Sequence, residues 1–397
     1  MKITAIETLR TDIQPNLVLL RLHTDEGLVG LGDAFYAPAP VESYLHETIA
    51  EVLLGVSDPT PEWTARVLTP YVGYQGGGVE TRAKGAVDLA IWDLTGKRAG
   101  LPVVDLLGGA VRDRIPVYNT CAGPGYVSTT SRQESANWGI AADGRFEDLD
   151  AFLHRPAELA EELLADGINA MKIWPFDLAA EATGGTDISQ QSLDEAIAVV
   201  AAIRDAVGLQ IRIMIELHGL WYRPAAEKIC AALTPYQPFW VEDPIRADGA
   251  DALARLAAAV DVPIAVGETA GGRRGFLPLL QSGALDVVTV DPQWAGGLTE
   301  ARKVASLADT FGVPIAPHDC TGPVSFAACV HLVASQPNGL VQETVRAFLN
   351  TWYGALVEGL PQITDGHIAP TRAPGLGIDL VPDLADRPGV TRRETTL

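Results

Sequence analysis

Only four cysteines occur among the 397 residues, Cys121, Cys230, Cys320 and Cys329, and none stands in a CxxC or zinc-type spacing. That excludes a disulfide-stapled scaffold and a structural zinc module. No uninterrupted apolar run reaches membrane-spanning length although 47% of the residues are hydrophobic, so the chain reads as a globular protein. Basic residues are scarce: 29 Lys and Arg stand against 50 Asp and Glu, a formal charge of −21. A surface of that sign repels nucleic-acid phosphate and anionic lipid, so neither a polynucleotide nor a membrane partner is expected. An anionic substrate would need local positive charge from a Lys, an Arg or a bound cation. The segment MKITAIETLR lacks the apolar stretch of a secretory signal, which makes a reduced, cytoplasmic setting the expectation.

What is present falls into two patterns. The first hundred residues open with alternating segments, MKITAIETLR, NLVLLRLHT and GLVGLGDAF, the last two about an Asp-Glu-Gly turn, and these predict antiparallel strands. Helical spacing follows in VESYLHETIAEVLLG, in EWTARVLTPYV and in TRAKGAVDLAIWDLTGKRAG, which closes on Lys97, Arg98 and Gly100. Residues 1–112 therefore read as an α+β unit. From Ile115 the pattern becomes short apolar run, turn, Ala-rich helix, repeated: IPVYNT, NAMKIW, IRIMIE, PFWVED, PIAVGET, DVVTVD, PIAPHD and LVQETV. Eight parallel-type runs with no GxGxxG after the first fit a (β/α)8-like barrel over 113–350 better than an open doubly wound sheet. The remainder, 351–397, is expected to return to the first unit. Two stretches, 122–152 and 178–190, exceed ordinary βα-loop length and lie on the face where barrels keep their chemistry.

Nearly every run ends in an ionisable side chain. Glu216, Glu242 and Glu268 close three successive runs at intervals of 26 residues, and Asp291, His318 and Glu343 follow at 23, 27 and 25. One βα unit per interval puts all six on one rim. Three carboxylates aimed into one cavity repel, and a hard divalent cation such as Mg²⁺ resolves the repulsion while leaving positions for a substrate carboxylate. Helix capping by the same glutamates, or a glycosidase pair built from Glu242 and Glu268, are the competing readings. Asp291 can orient His318 as a general base. His218, two residues beyond Glu216, faces the same side as acid or extra ligand. Lys172 brings a cation to the rim for a substrate carboxylate, and Glu343 would hydrogen-bond a developing oxyanion when protonated.

In combination, ELHG at 216–219, VEDP at 241–244, GET at 267–269, VDPQWAGGLTEARKVA at 290–305, APHDCTGP at 316–323 and QETVR at 342–346 resemble the mandelate racemase-like subgroup of the enolase superfamily. Within it the resemblance is to the acid-sugar dehydratases, galactonate dehydratase among them. It implies a modified TIM barrel, (β/α)7β, with an α+β N-terminal capping domain completed by the C-terminal tail, and a homo-oligomer. It also implies that Glu216, Glu242 and Glu268 bind Mg²⁺, that His318 with Asp291 removes the proton α to a carboxylate, that His218 is the acid at the leaving hydroxyl and that Glu343 hydrogen-bonds the enediolate. The substrate would be a small sugar acid.

Two departures stand out. Racemases of this subgroup carry Lys-x-Lys on the second barrel strand, whereas Lys172-Ile173-Trp174 keeps one lysine, which favours one-base elimination over racemisation. Glu216 stands where the subgroup often has Asp, and its longer arm would shift the ion or His218 by a bond length. Trp174 either stacks on a sugar face or fills the barrel mouth; Tyr36 and the segment Tyr74-Gln75-Gly76-Gly77-Gly78 are expected to supply specificity from the capping side. An epimerase, racemase or cycloisomerase using the same intermediate, and a sugar-acid binder without turnover, are the rival functions.

Overall fold

The computed structural model describes residues 1–69, 77–141 and 144–397; Tyr74, Gln75 and Gly76 lie outside the described residues. Three antiparallel strands open the chain, β1 (Ile3–Thr11), β2 (Leu17–Thr24) and β3 (Val29–Phe35), as the alternating patterns predict. Gly27 supplies the left-handed residue, φ 77°, that the β2–β3 turn demands. The C-terminal strand Val390–Thr396 pairs antiparallel with β1, so one sheet joins the two ends of the chain. Its inner face buries Ile3, Ile6, Val18, Leu20 and Leu22 against the helix Val79–Ala99, which stops at Gly100 in the left-handed conformation. Close approach is set by small residues: a Cβ on Gly32 would collide with the Ala86 carbonyl, and one on Gly85 with the carbonyl of Gln293 on the barrel rim. The second contact carries this unit onto the mouth of the barrel.

The barrel strands are β4 (Ile115–Thr120), β5 (Ala170–Ile173), β6 (Arg212–Glu216), β7 (Trp240–Glu242), β8 (Ile264–Val266), β9 (Val287–Val288) and β10 (Gln342–Thr344), all parallel, with β10 pairing back to β4. The eighth run, PIAPHD, forms no full strand. It closes the ring through single bridges from Ile315 to Val288 and to Gly339, because Pro314 and Pro317 have no N–H to extend a ladder. The stretch 178–190, expected as an extended loop, is partly helical over Asp177–Thr183, where DLAAEAT favours helix until Gly184 stops it at φ 61°. No helix among the described residues is long and apolar enough to cross a membrane.

A ring of apolar side chains fills the barrel: Tyr118, Ala170, Met214, Trp240, Ala265, Val287, Ala316 and Val341, one from each of the eight runs. Side chains on a strand return to the same face every second residue. The inward positions one step nearer the C-terminal mouth are therefore Thr120, Lys172, Glu216, Glu242, Thr289, His318 and Glu343. Hydrophobic burial and site chemistry share one face of the same strands, and the apolar ring is the floor on which the polar layer rests.

Candidate active site

Glu216 and Glu242 end β6 and β7 as direct register partners, and Glu268 reaches the same point from two residues past β8. That offset has a local cause. Gly267, φ 148°, breaks the alternation, and a Cβ there would strike the Phe276 ring, so Glu268 rather than residue 267 turns inward. One carboxylate oxygen from each of the three glutamates lies within 4.8 Å of the others, and all three residues are buried. Glu242 Oε1 has no hydrogen-bond partner among the described residues, and Glu216 Oε2 meets only the Lys172 ammonium. Unpartnered oxygens in a hard, three-carboxylate set are the donor chemistry of a divalent cation, and the residues fit one.

Lys172 lies at the centre of these acids, its Nζ 3.3 Å from Glu216 Oε2, 3.3 Å from Glu242 Oε2 and 3.0 Å from Glu343 Oε1. Burial works to lower its pKa, but Glu242, Glu343 and Glu216 outweigh burial and hold it well above the ordinary lysine value. Glu242 is pushed up to about 8 by burial and by its acidic neighbours, against the pull of Lys172. Glu343 goes the other way. Burial would raise it, yet Lys172 and His318 hold it at about 2, and its oxygens accept from Thr120 Oγ1 and, at 2.7 Å, from the Asp319 N–H.

Two imidazoles face the space beside the triad, each held by its own carboxylate. His318 Nδ1 donates to Asp291 Oδ2 at 2.8 Å, while its Nε2 lies 3.4 Å from Glu268 Oε2. Asp291 Oδ1 in turn accepts the Trp294 N–H at 2.8 Å, and the Trp294 ring lies against His318 at 4.9 Å between centroids. Burial opposes protonation of His318, but Glu268, Glu343 and Asp291 raise its pKa well above the usual value. His218 Nδ1 donates to Asp177 Oδ2 at 2.8 Å, and its pKa is lifted to about 9, burial being overcome by Asp177 and Glu216. The extra methylene of Glu216 is used locally: Oε1 folds back to accept the His218 N–H at 2.7 Å, which fixes His218 in the left-handed region at φ 50°.

The wall opposite the strands comes from both units. Tyr36 follows β3, its ring against Trp294 at 5.6 Å, and its hydroxyl reaches Gln133 Oε1 at 3.4 Å. Trp174 lines the cavity edge but is 1% exposed, packed at 5.2 Å against both Tyr126 and Phe152 and at 5.8 Å against His218. The catalytic, metal and substrate candidates singled out in the sequence thus lie at one cavity or hold a residue that does, whereas Gly77 and Gly78 do not line it, Gly78 standing at the start of the helix Val79–Ala99. Sequence reasoning did not single out Asp177, Gln133, Tyr126, Trp294 and Thr120. Asp177 and Trp294 carried a signal, since they stand in the runs NAMKIWPFD and VDPQWAGG; Gln133 and Tyr126 fall in the stretch 122–152, whose length marked the loop while no periodicity marked these side chains.

The fold and this geometry agree with comparisons to known proteins. Residues 3–108 match the mandelate racemase / muconate lactonizing enzyme N-terminal domain, and residues 155–384 match the enolase C-terminal domain-like family. D-galactonate dehydratase of Pectobacterium atrosepticum is 32% identical, over 97% of this chain and 93% of the relative; that of Ralstonia nicotianae is 33% identical, over 96% and 92%. A crystal structure of an enolase of the mandelate racemase subgroup from Agrobacterium tumefaciens superposes with a TM-score of 0.89 at 43% identity, covering 100% of this chain and 99% of the other. The chain belongs to the enolase superfamily, in its mandelate racemase / muconate lactonizing enzyme subgroup.

Proposed function

We propose that the protein is a Mg²⁺-dependent acid-sugar dehydratase, a lyase that removes the proton α to a carboxylate and expels the β-hydroxyl to leave a 2-keto-3-deoxy acid. The observation that carries the reading is the pair of separately oriented imidazoles, His318 on Asp291 and His218 on Asp177, at one cavity beside the glutamate triad. Elimination of water needs one base and one acid, and each histidine here has a carboxylate that fixes its Nδ1 and turns Nε2 toward the cavity. The 32–33% identity to D-galactonate dehydratases supports the same class.

Glu216, Glu242 and Glu268 would hold the ion. When bound, it supplies positive charge that offsets the carboxylates and the charge developing on a substrate carboxylate. Lys172 pairs with that carboxylate and orients it. His318 takes the α-proton at Nε2, with Asp291 stabilising the imidazolium. His218 delivers a proton from Nε2 to the departing β-hydroxyl. Glu343 borders the carboxylate end, and the resulting enol tautomerises to the keto acid. In this reading residues 1–112 form a capping domain, 113–350 the catalytic barrel and 351–397 the return to the cap.

The test is turnover of a panel of aldonic and aldaric acids in deuterated water with Mg²⁺. A new keto acid is expected. Solvent deuterium at the α-carbon of recovered acid without loss of water would replace the reading with an epimerase, and tight calorimetric binding with no product over hours would replace it with a binder.

A further inference from the structure

Gln133 is a residue of the cavity wall that neither the motifs nor the proposed reaction uses, and its loop is tied down by hydrogen bonds from several sides. The loop that carries it is pinned from within by Asn137, whose Oδ1 accepts the N–H groups of Thr129 and Thr130 at 3.0 and 3.1 Å and whose Nδ2 donates to the carbonyls of Thr130 and Arg132 at 2.7 and 2.9 Å. From the capping side, Asn16 Oδ1 accepts from Ser131 Oγ at 2.9 Å, and the Ala37 N–H donates to the same hydroxyl at 2.9 Å. From the barrel side, Glu181 accepts from Ser135 Oγ at 2.6 Å. A loop held at three points presents its side chain at a defined place.

That place is beyond His218. The Gln133 amide nitrogen is 2.5 Å from Tyr126 Oη and 3.2 Å from His218 Nε2, and its carbonyl accepts from Tyr36 Oη at 3.4 Å. A sugar acid whose carboxylate lies at Lys172, whose α-carbon faces His318 and whose β-hydroxyl faces His218 Nε2 continues outward past that imidazole. The next group it meets is this amide. An amide offers an acceptor and two donors side by side, which suits a secondary hydroxyl that both donates and accepts. Only about 30 Å³ is free between the walls, so a bound acid takes over hydrogen bonds these side chains now make to one another.

We propose that Gln133 is a specificity-determining residue that hydrogen-bonds the hydroxyl on the carbon next beyond the one losing water. The inference rests on the dehydratase reading above. It identifies the substrate as an acid hydroxylated at C4, bound through that group by the Gln133 side chain.

The experiment compares an aldonic acid with its 4-deoxy counterpart on wild type and on Gln133→Leu. Wild type should prefer the hydroxylated acid by roughly ten- to hundredfold in kcat/KM, as expected of a site with a polar group to satisfy. In Gln133→Leu that ratio should fall to near one, through a raised KM for the hydroxylated acid with the 4-deoxy acid little affected. An unchanged ratio, or an equal loss on both acids in a folded variant, overturns the proposal. Should Gln133→Leu not fold, Gln133→Asn, which keeps the amide but withdraws it by one methylene, is expected to lower the ratio, and a wild-type ratio there overturns it. Absence of turnover by wild type would count against the dehydratase reading alone. Calorimetry of the same two acids with Mg²⁺-loaded protein then reads the amide's preference, and equal preference in both proteins, or no binding of either acid, overturns it.

Discussion

Glu216 and Glu242 stand opposite one another in the parallel register of β6 and β7, with Lys172 Nζ 3.3 Å from one oxygen of each. Two like charges side by side in a buried layer are unfavourable unless a cation compensates them. The lysine does so partly, since Glu242 Oε1 still has no hydrogen-bond partner among the described residues.

Metal binding should therefore depend on each acid. Glu242→Gln is expected to weaken Mg²⁺ by more than the roughly 10- to 100-fold typical of losing an outer hydrogen-bonding partner, because a ligand itself is lost. Titration calorimetry with Mg²⁺ measures it, and removal of the ion by a chelator should abolish turnover, with Mg²⁺ restoring it. Wild-type affinity in the variant would refute the triad as the metal site.

The base can be separated from the metal. His318→Asn should lower turnover by at least about 100-fold, the lower end of what a positioned general base contributes, while Mg²⁺ affinity stays close to wild type. Steady-state kinetics alongside calorimetry decide it; activity retained at more than a tenth of wild type would remove the assignment.

Acid and base are expected to separate as well. His218→Asn should suppress keto-acid formation by about 10²–10⁴-fold, yet proton exchange at the α-carbon should continue, because His318 and Asp291 are intact. Mass spectrometry of acid recovered from deuterated water reads both. Loss of exchange together with elimination would show that His218 acts earlier than proposed.

One prediction concerns the sheet that joins the chain ends. Glu7 in β1 is buried, with Oε2 2.6 Å from Arg21 Nε and 2.6 Å from His23 Nε2, and its other oxygen meets Arg392 of the C-terminal strand. Burial alone would raise its pKa, but His23, Arg21 and Arg392 overcome that and hold it at about 2 rather than 4.5. A depressed carboxyl stabilises the fold fully above its unfolded value, so the contribution is present above about pH 4.5 and is lost as pH falls toward 2. The shift corresponds to roughly 3 kcal/mol. Glu7→Gln should lose stability on that order in urea unfolding at neutral pH, and the gap to wild type should narrow as pH drops from 4.5 toward 2. A gap independent of pH would refute the ion-pair account.

Much of this was legible along the chain because the barrel repeats one local rule. Each βα unit ends its strand at the same rim, so regular spacing alone placed Glu216, Glu242 and Glu268 together, and the paired positions of Asp291 and His318 followed. Where the rule was broken locally, reading the sequence fell short: Pro314 and Pro317 reduce the eighth strand to bridges. The interval still placed Glu268 although Gly267 breaks the alternation there.

Linear sequence by itself determined the polar layer, since alternation along each strand is a local property of the backbone. What only the tertiary structure decided is which partners that layer meets: Asp177 on His218, Lys172 among three acids, and Gln133 with Tyr36 and Tyr126 across the mouth. Those contacts join residues distant along the chain and depend on loop conformation and on how the cap sits over the barrel, and neither is encoded in any short-range period.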